Sequence, residues 1–357
     1  MSLPTKSKIK VLIVEDSPLI QQLLSYIFAQ DAQFQIVGTA DDAASTLKSV
    51  YTLQPDVVTM DIQLKKSNGL ELTRQLMQST PVPIVVISTS CQSGDTQMAL
   101  EIVQAGALAA IPKPPAVNHP DFAKIASSLR QTVKDMSAVK VVKRRQTVTF
   151  SKLPILTMEE AVRAAGQYQV LVIGASTGGP PAVLSFLKEL STSLPVPVIL
   201  VQHIYPGFAP GLVEWLSAGS SLKVKLLTSS QKAEPGTVYL CENGYQMGVK
   251  SEAIISVTPD KNADQRHCPS VAHLFQSAAA SYGSKAIGII FSGMGTDGAE
   301  ELKLMREKGA MTIAQDQKSS IVYGMPGEAA KINAAEHILS PPQAARFINS
   351  LFDKKNK

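Results

Sequence analysis

Three residues at the ends of apolar runs are of the right types for nucleophilic acyl transfer. The first is Ser176, in VLVIGASTGGPPAV (170–183). An apolar run there enters Gly174-Ala175-Ser176-Thr177-Gly178-Gly179, and Pro180 and Pro181 follow. Glycines permit a tight turn, and proline suits a first helical turn. Ser176 would then sit at a strand end beside helix N-terminal amides, which favour negative charge. GASTG reads as G-x-S-x-G, the pattern of a nucleophile elbow. The same glycines would equally serve a nucleotide-phosphate loop or a plain turn. The second residue is His203, after the run in ILVQHIYPGF. The third is Asp297, in the Gly-rich turn of IIFSGMGTDGAE. A serine nucleophile needs a base, and the base needs an orienting acid. Alone, His203 reads as a structural histidine and Asp297 as a turn or cap residue. Together they allow a triad in the chain order Ser, His, Asp, where ordinary α/β-hydrolases run Ser, Asp, His. A dinucleotide site would want an acidic residue at the end of the second strand. Gln202-His203 stand near that place and count against a cofactor.

A second constellation lies in the first third of the chain. Glu15 and Asp16 follow the run IKVLIV, Asp61 ends DVVTMD, Ser88 ends PIVVIS, and Lys113 follows ALAAIP. One acidic residue at a strand end is ordinarily a helix cap. Three carboxylates, a hydroxyl and an ammonium converging on one sheet edge are a different matter. Clustered carboxylates repel and call for a cation, and hard oxygen ligands with open water positions suit Mg2+. Such a site can take a phosphoryl group on Asp61, with the metal and Lys113 offsetting charge on its oxygens.

Both sets require sheets with their strand ends aligned. In the first 130 residues, candidate strands fall at 9–14, 34–39, 56–61, 83–88 and 107–112, with helical patterns between them. Nearly all-apolar strands alternating with helices predict a parallel sheet covered on both faces. Five such units make a flavodoxin-like (βα)5 domain over 7–130, whose ligands bind at the carboxyl ends of the strands. Residues 131–166 read as a linker, with the basic cluster Lys140, Lys143, Arg144 and Arg145 and a short helix near 158–166. A second α/β domain spans 167–354. Its candidate strands fall at 169–174, 196–202, 223–228, 236–241, 253–258, 286–293 and 310–315, and its helices near 180–191, 208–218, 270–281, 297–308 and 342–352. The fold class is thus α/β, with a mostly parallel second sheet. The stretch 223–258 leaves no room for crossover helices and predicts antiparallel hairpins.

At 357 residues the chain suits about two domains. A hydrophobic content of 45% with 18% charged residues fits a water-soluble globular protein. The net charge of +5 is modest, and no helix-turn-helix pattern occurs, so nucleic acid is not an expected partner. The polar start MSLPTKSKIK lacks a signal-peptide core. No apolar run approaches the ~18 residues of a membrane span, so membrane insertion is not expected. Cys91, Cys241 and Cys268 show neither a disulfide framework nor zinc spacing, and a reducing, cytoplasmic location fits them.

VLIVEDSPLI, VVTMDIQ and IPKPP together resemble the response-regulator receiver family. The resemblance implies Asp61 as phospho-acceptor and Glu15, Asp16 and Asp61 as Mg2+ ligands, helped by the Gln63 carbonyl. It implies Ser88 and Lys113 as switch residues. IQLKKSNGLE after Asp61 departs from the usual pattern, and Ala110 stands where many receivers carry an aromatic. In the second half, IGASTGGPPAVLSFL, VQHIYPGFAPGLVEWL, PSVAHLFQSAA, FSGMGTDGAEEL and TIAQDQKSSIVYGMP resemble the chemotaxis protein-glutamate methylesterase (CheB) family. This resemblance covers nearly the whole chain in the right domain order. It implies Ser176 as nucleophile, His203 as base and then acid, Asp297 as orienter, and the Thr177 and Met294 amides as oxyanion donors. No cofactor is implied for the ester reaction. The implied partners are the cytoplasmic parts of methyl-accepting chemotaxis receptors, as substrates for demethylation and glutamine deamidation, and a chemotaxis histidine kinase as phosphodonor. CENGYQMGV, with Gln246, departs from the family pattern, as do Cys268 and Ala272 in RHCPSVAHLF. The flanking His267 and His273 read as structural or substrate-side. The rival reading is a phospho-switch binding module whose second domain is catalytically divergent.

Overall fold

The computed structural model describes residues 8–89, 96–139, 141, 168–204, 206–260 and 268–352. The chain divides into two compact units, Met1–Thr147 and Val148–Lys357.

The first unit holds a five-stranded sheet in the order β2-β1-β3-β6-β7, from β1 (Ile9–Val14), β2 (Phe34–Ala40), β3 (Val57–Met60), β6 (Ile84–Ser88) and β7 (Ala109–Pro112). Every pairing is parallel. All residues of β3 and β6 are buried, as their largely apolar sequences require with helices on both faces. The strand order reverses between β1 and β3, which opens a crevice beyond their carboxyl ends. A two-stranded hairpin, β4 (Gln63–Leu64) with β5 (Ser67–Asn68), follows β3 at that crevice.

The last helix of this unit runs Phe122–Ser137, past the linker boundary expected at 130. Leu129, Val133 and Met136 recur at helical spacing and are buried, and Arg130 Nη1 donates to the Ile27 carbonyl. The expected helix at 158–166 and the basic cluster Lys140, Lys143, Arg144 and Arg145 lie outside the described residues.

The second unit carries a seven-stranded sheet in the order β10-β12-β9-β8-β15-β16-β17. Its strands are β8 (Val170–Ala175), β9 (Val198–Gln202), β10 (Lys223–Leu227), β12 (Thr237–Cys241), β15 (Ala286–Ile290), β16 (Met311–Gln315) and β17 (His337–Leu339). All neighbours are parallel. β8 is flanked by β9 on one side and β15 on the other, so the order reverses there too. A smaller antiparallel sheet joins β11 (Gln231–Lys232), β14 (Ile254–Pro259) and β13 (Tyr245–Lys250).

The hairpin expectation for 223–258 is thus met by β13 and β14 and corrected for β10 and β12. Those two pair in parallel, joined only through residues 228–236. The connection needs no helix because β11 leaves the main sheet, pairs with β14, and returns the chain to start β12 in the same direction.

Candidate active site

The sheet order of the second unit brings three loops to one edge. Ala175 pairs with Gln202 across β8 and β9, and Gly174 pairs with Ile290 across β8 and β15. The ladder continues one residue further on each side. His203 N donates to the Ala175 carbonyl at 2.9 Å, and Ser176 N donates to the Ser292 carbonyl at 3.0 Å. Ser176 and His203 therefore leave adjacent strands at nearly the same level, where strand spacing is about 4.8 Å. Gly178 turns the chain into helix Gly179–Glu189 with φ +73°, a conformation that favours glycine. Gly179 N closes the turn by donating to the Ser176 carbonyl at 2.8 Å.

Asp297 lies in the turn after β15. Its Oδ2 is 2.9 Å from His203 Nε2, and both side chains are 12% exposed. The carboxylate also sits on the N-terminus of helix Val271–Ser281. It accepts from Val271 N at 2.8 Å, Ala272 N at 3.0 Å and Ser270 Oγ at 3.1 Å. Burial alone would raise the Asp297 pKa. The His203 ring and the Ala272 and Val271 amides outweigh it and hold the group at about 2. A fixed negative charge thus faces the imidazole at any ordinary pH. Thr177 occupies the turn after Ser176, and Met294 the turn after the bridge between Gly293 and Tyr323.

The first unit gathers its own set. Lys113 Nζ lies 2.8 Å from Asp61 Oδ2 and 2.7 Å from Glu15 Oε2. Oxygens of Glu15, Asp16 and Asp61 all lie within 4.8 Å of one another. Burial raises the Glu15 pKa, against Lys113. Burial also opposes the charge on Lys113, yet Asp61 and Glu15 overcome it and raise that pKa. Among the described residues, Asp61 Oδ1 and Ser88 Oγ are buried without a hydrogen-bond partner. Three carboxylates against one ammonium leave two negative charges and an orphaned oxygen. That donor set fits a divalent, oxygen-seeking cation. Gln63 stands in β4, two residues past Asp61. Ala110 pairs with Val86 inside the sheet and supplies no ring.

Two family models match the chain: "Response regulator receiver domain" over residues 11–119 and "CheB methylesterase" over residues 171–348. A protein from Syntrophus aciditrophicus (strain SB) named protein-glutamate methylesterase/protein-glutamine glutaminase 1 is 39% identical over 352 residues. That match covers 96% of this chain and 98% of the relative. A second so named, number 3 of Hahella chejuensis, is 41% identical with the same coverages. The chain belongs to the protein-glutamate methylesterase/protein-glutamine glutaminase family. A solved structure, the Thermotoga maritima CheB methylesterase catalytic domain, is 28% identical and covers 52% of this chain and 98% of its own, with a TM-score of 0.49.

In this methylesterase-family chain, several contacts around the three loops involve residues that had no assigned role at the site in the sequence reading. Ser292 Oγ donates to the Thr177 carbonyl at 2.9 Å, and Ser292 N donates to Gln315 Oε1 at 2.7 Å. Gln246 Oε1 accepts from Ser270 N at 2.9 Å. Gln202 Nε2 donates to the carbonyls of Ser176 and His203. Of these, Ser270 carried a local structural signal, as a cap residue ahead of an apolar helical run. Of the departures from the family pattern, Ala272 meets Asp297 through its backbone, so its side chain does not enter that contact. Cys268 and Cys241 are both buried. Burial, with Cys268 nearby, pushes Cys241 up to about 12, far from thiolate reactivity. His273 is exposed, while His267 and Cys91 lie outside the described residues.

Proposed function

We propose that this chain is a phosphorylation-activated serine hydrolase that removes methyl esters from glutamate side chains in the cytoplasmic parts of chemotaxis receptors. The observation that carries the reading is the 2.9 Å His203–Asp297 pair beside Ser176, in a chain of this family. His203 takes the Ser176 proton as Oγ attacks the ester carbonyl. The ring meets Asp297 through Nε2, which gives Nδ1 the base role. Asp297 fixes the tautomer and stabilises the imidazolium. The Thr177 and Met294 amides donate to the oxyanion. His203 gives the proton to the departing methoxide oxygen, which leaves as methanol; it then takes a proton from water, which hydrolyses the acyl-enzyme, and returns one to Ser176 Oγ. Glutamine deamidation follows the same course with ammonia leaving.

In the receiver, Glu15, Asp16, Asp61 and the Gln63 carbonyl would hold Mg2+, which when bound offsets charge on a transferring phosphoryl group. Asp61 accepts that group from a chemotaxis histidine kinase. Lys113 and Ser88 bind its oxygens, and the new contacts shift the balance between receiver conformations.

The test is methanol release from membranes bearing methylated receptors, for wild type and Ser176→Ala, with and without Mg2+ and a small phosphodonor. Release should require Ser176 and rise with phosphodonor. Wild-type protein that releases no methanol under any of these conditions would overturn the reading.

A further inference from the structure

Gln202 ends β9 with its side chain 96% buried, 4% of its surface remaining exposed. Its Nε2 lies 2.8 Å from the Ser176 carbonyl and 3.0 Å from the His203 carbonyl. An amide nitrogen has two protons, and each carbonyl accepts one. The two acceptors belong to the proposed nucleophile and its proposed base. Gln202 Oε1, by contrast, is buried without a hydrogen-bond partner among the described residues. A Cβ added at Gly179 would collide with it. A buried acceptor left unsatisfied costs about 1–3 kcal/mol. A leucine or methionine would fill the same space without that cost, so packing does not account for an amide here. What only the amide supplies is the pair of donors.

We infer that Gln202 is a positioning residue that clamps the Ser176 and His203 carbonyls together and so sets the spacing between nucleophile and base. The inference rests on the Ser-His-Asp reading proposed above. The ladder beyond β8 and β9 ends with the His203 amide on the Ala175 carbonyl. Past that bond, the loops after the two strands diverge, one toward helix Gly179–Glu189 and the other toward helix Ala209–Gly219. Gln202 is the bridge across the point of divergence. Helix Gly179–Glu189 meets the clamp from the other side, since the Ser176 carbonyl also accepts from Gly179 N. A small relaxation of this unit would change the Ser176–His203 approach without touching Asp297, which is held separately by helix Val271–Ser281.

The experiment compares full-length wild type, Gln202→Met, Gln202→Glu and Ser176→Ala with phosphodonor and Mg2+ present. Methionine keeps the volume and removes both donors. Glutamate keeps the shape and places an acceptor against two carbonyls. Steady-state methanol release gives kcat and KM, and thermal melting identifies any variant that has lost its fold. Folded Gln202→Met should lose about 10- to 100-fold in kcat, the scale of a sub-ångström to 1 Å misplacement, with KM within about twofold of wild type. Gln202→Glu should lose more. A structural role alone would lower melting temperature while leaving kcat per folded molecule intact, and that result overturns the inference. Should Gln202→Met fail to fold, Gln202→Glu decides by the same criterion. Ser176→Ala separates the two levels. If it retains activity, the triad reading fails. If it is inactive while folded Gln202→Met has wild-type kcat, only the clamp fails.

Discussion

Asp297 keeps its charge in a largely dry place because three donors and a ring converge on it. Its pKa, held at about 2 against 3.8 for a free aspartate, has a consequence for stability. The folded pKa is depressed, so the unfolded chain takes up a proton first as pH falls. The stabilisation is complete above the unfolded value and is lost as pH drops from about 4 through about 2. The shift of nearly two pKa units corresponds to about 2 kcal/mol. Asp297→Asn lacks this linkage. The difference in unfolding free energy between wild type and Asp297→Asn should therefore shrink by about 2 kcal/mol between pH 5 and pH 2, as denaturant melts at each pH would show. A constant difference would mean that the carboxylate is not held as described. At pH 7 the same variant should lose about 10³- to 10⁴-fold in kcat, since an amide does not enforce the tautomer that a carboxylate does.

At the scale of elements, the acid of the site is placed by a helix. Ser270 caps helix Val271–Ser281 by accepting from His273 N and also donates to Asp297. Its own amide is tied to Gln246 of β13, which links the small antiparallel sheet to the loop edge that carries Asp297. Ser270→Ala should cost about 1 kcal/mol in stability, the usual loss of a cap, and reduce kcat severalfold. Equal kcat would show that the two amides alone hold Asp297. Little of this arrangement was legible in the sequence. The residues at strand ends were, because an apolar run that stops at Ser176, His203 or Asp61 marks its own boundary. Long strands and helices of both units were legible for the same reason of periodicity. The two-residue strands β4, β5 and β11 were not, since pairs too short to show alternation depend on their partners. β13 was hidden by Gly248 and by polar Gln246, whose burial comes from a contact far away in the chain. Helix Met325–Lys331 is only seven residues long and begins at Met325-Pro326, too short a span to establish a helical period. The contacts of Gln202 Nε2 and Ser292 Oγ escaped notice because their acceptors are backbone carbonyls, which leave no trace in residue type.

At the scale of the whole molecule, two sheets each reverse their strand order and each gather reactive groups where they do so. The receiver set surrounds Asp61, and the hydrolase set surrounds Ser176. The chain divides between them, with Met1–Thr147 and Val148–Lys357 as separate compact units. Covalent linkage of the two proposed sites makes sense if the state of one governs the other. Such coupling requires that phosphorylated and unphosphorylated receivers differ in how they affect access to Ser176. One form of coupling makes the unphosphorylated receiver a restraint on the hydrolase unit. Removing residues 1–147 should then raise basal methanol release to a level that a phosphodonor no longer changes. Asp61→Asn in the full chain should do the opposite, keeping basal release low whatever phosphodonor is added. The pair of variants distinguishes restraint from activation. If the truncated protein is no faster than the resting full chain, while phosphodonor still accelerates the full chain through Asp61, the phosphorylated receiver must contribute positively to catalysis. Equal rates for the wild-type full chain and the truncated protein, each with and without phosphodonor, would leave the two sites uncoupled, joined only by the chain between them.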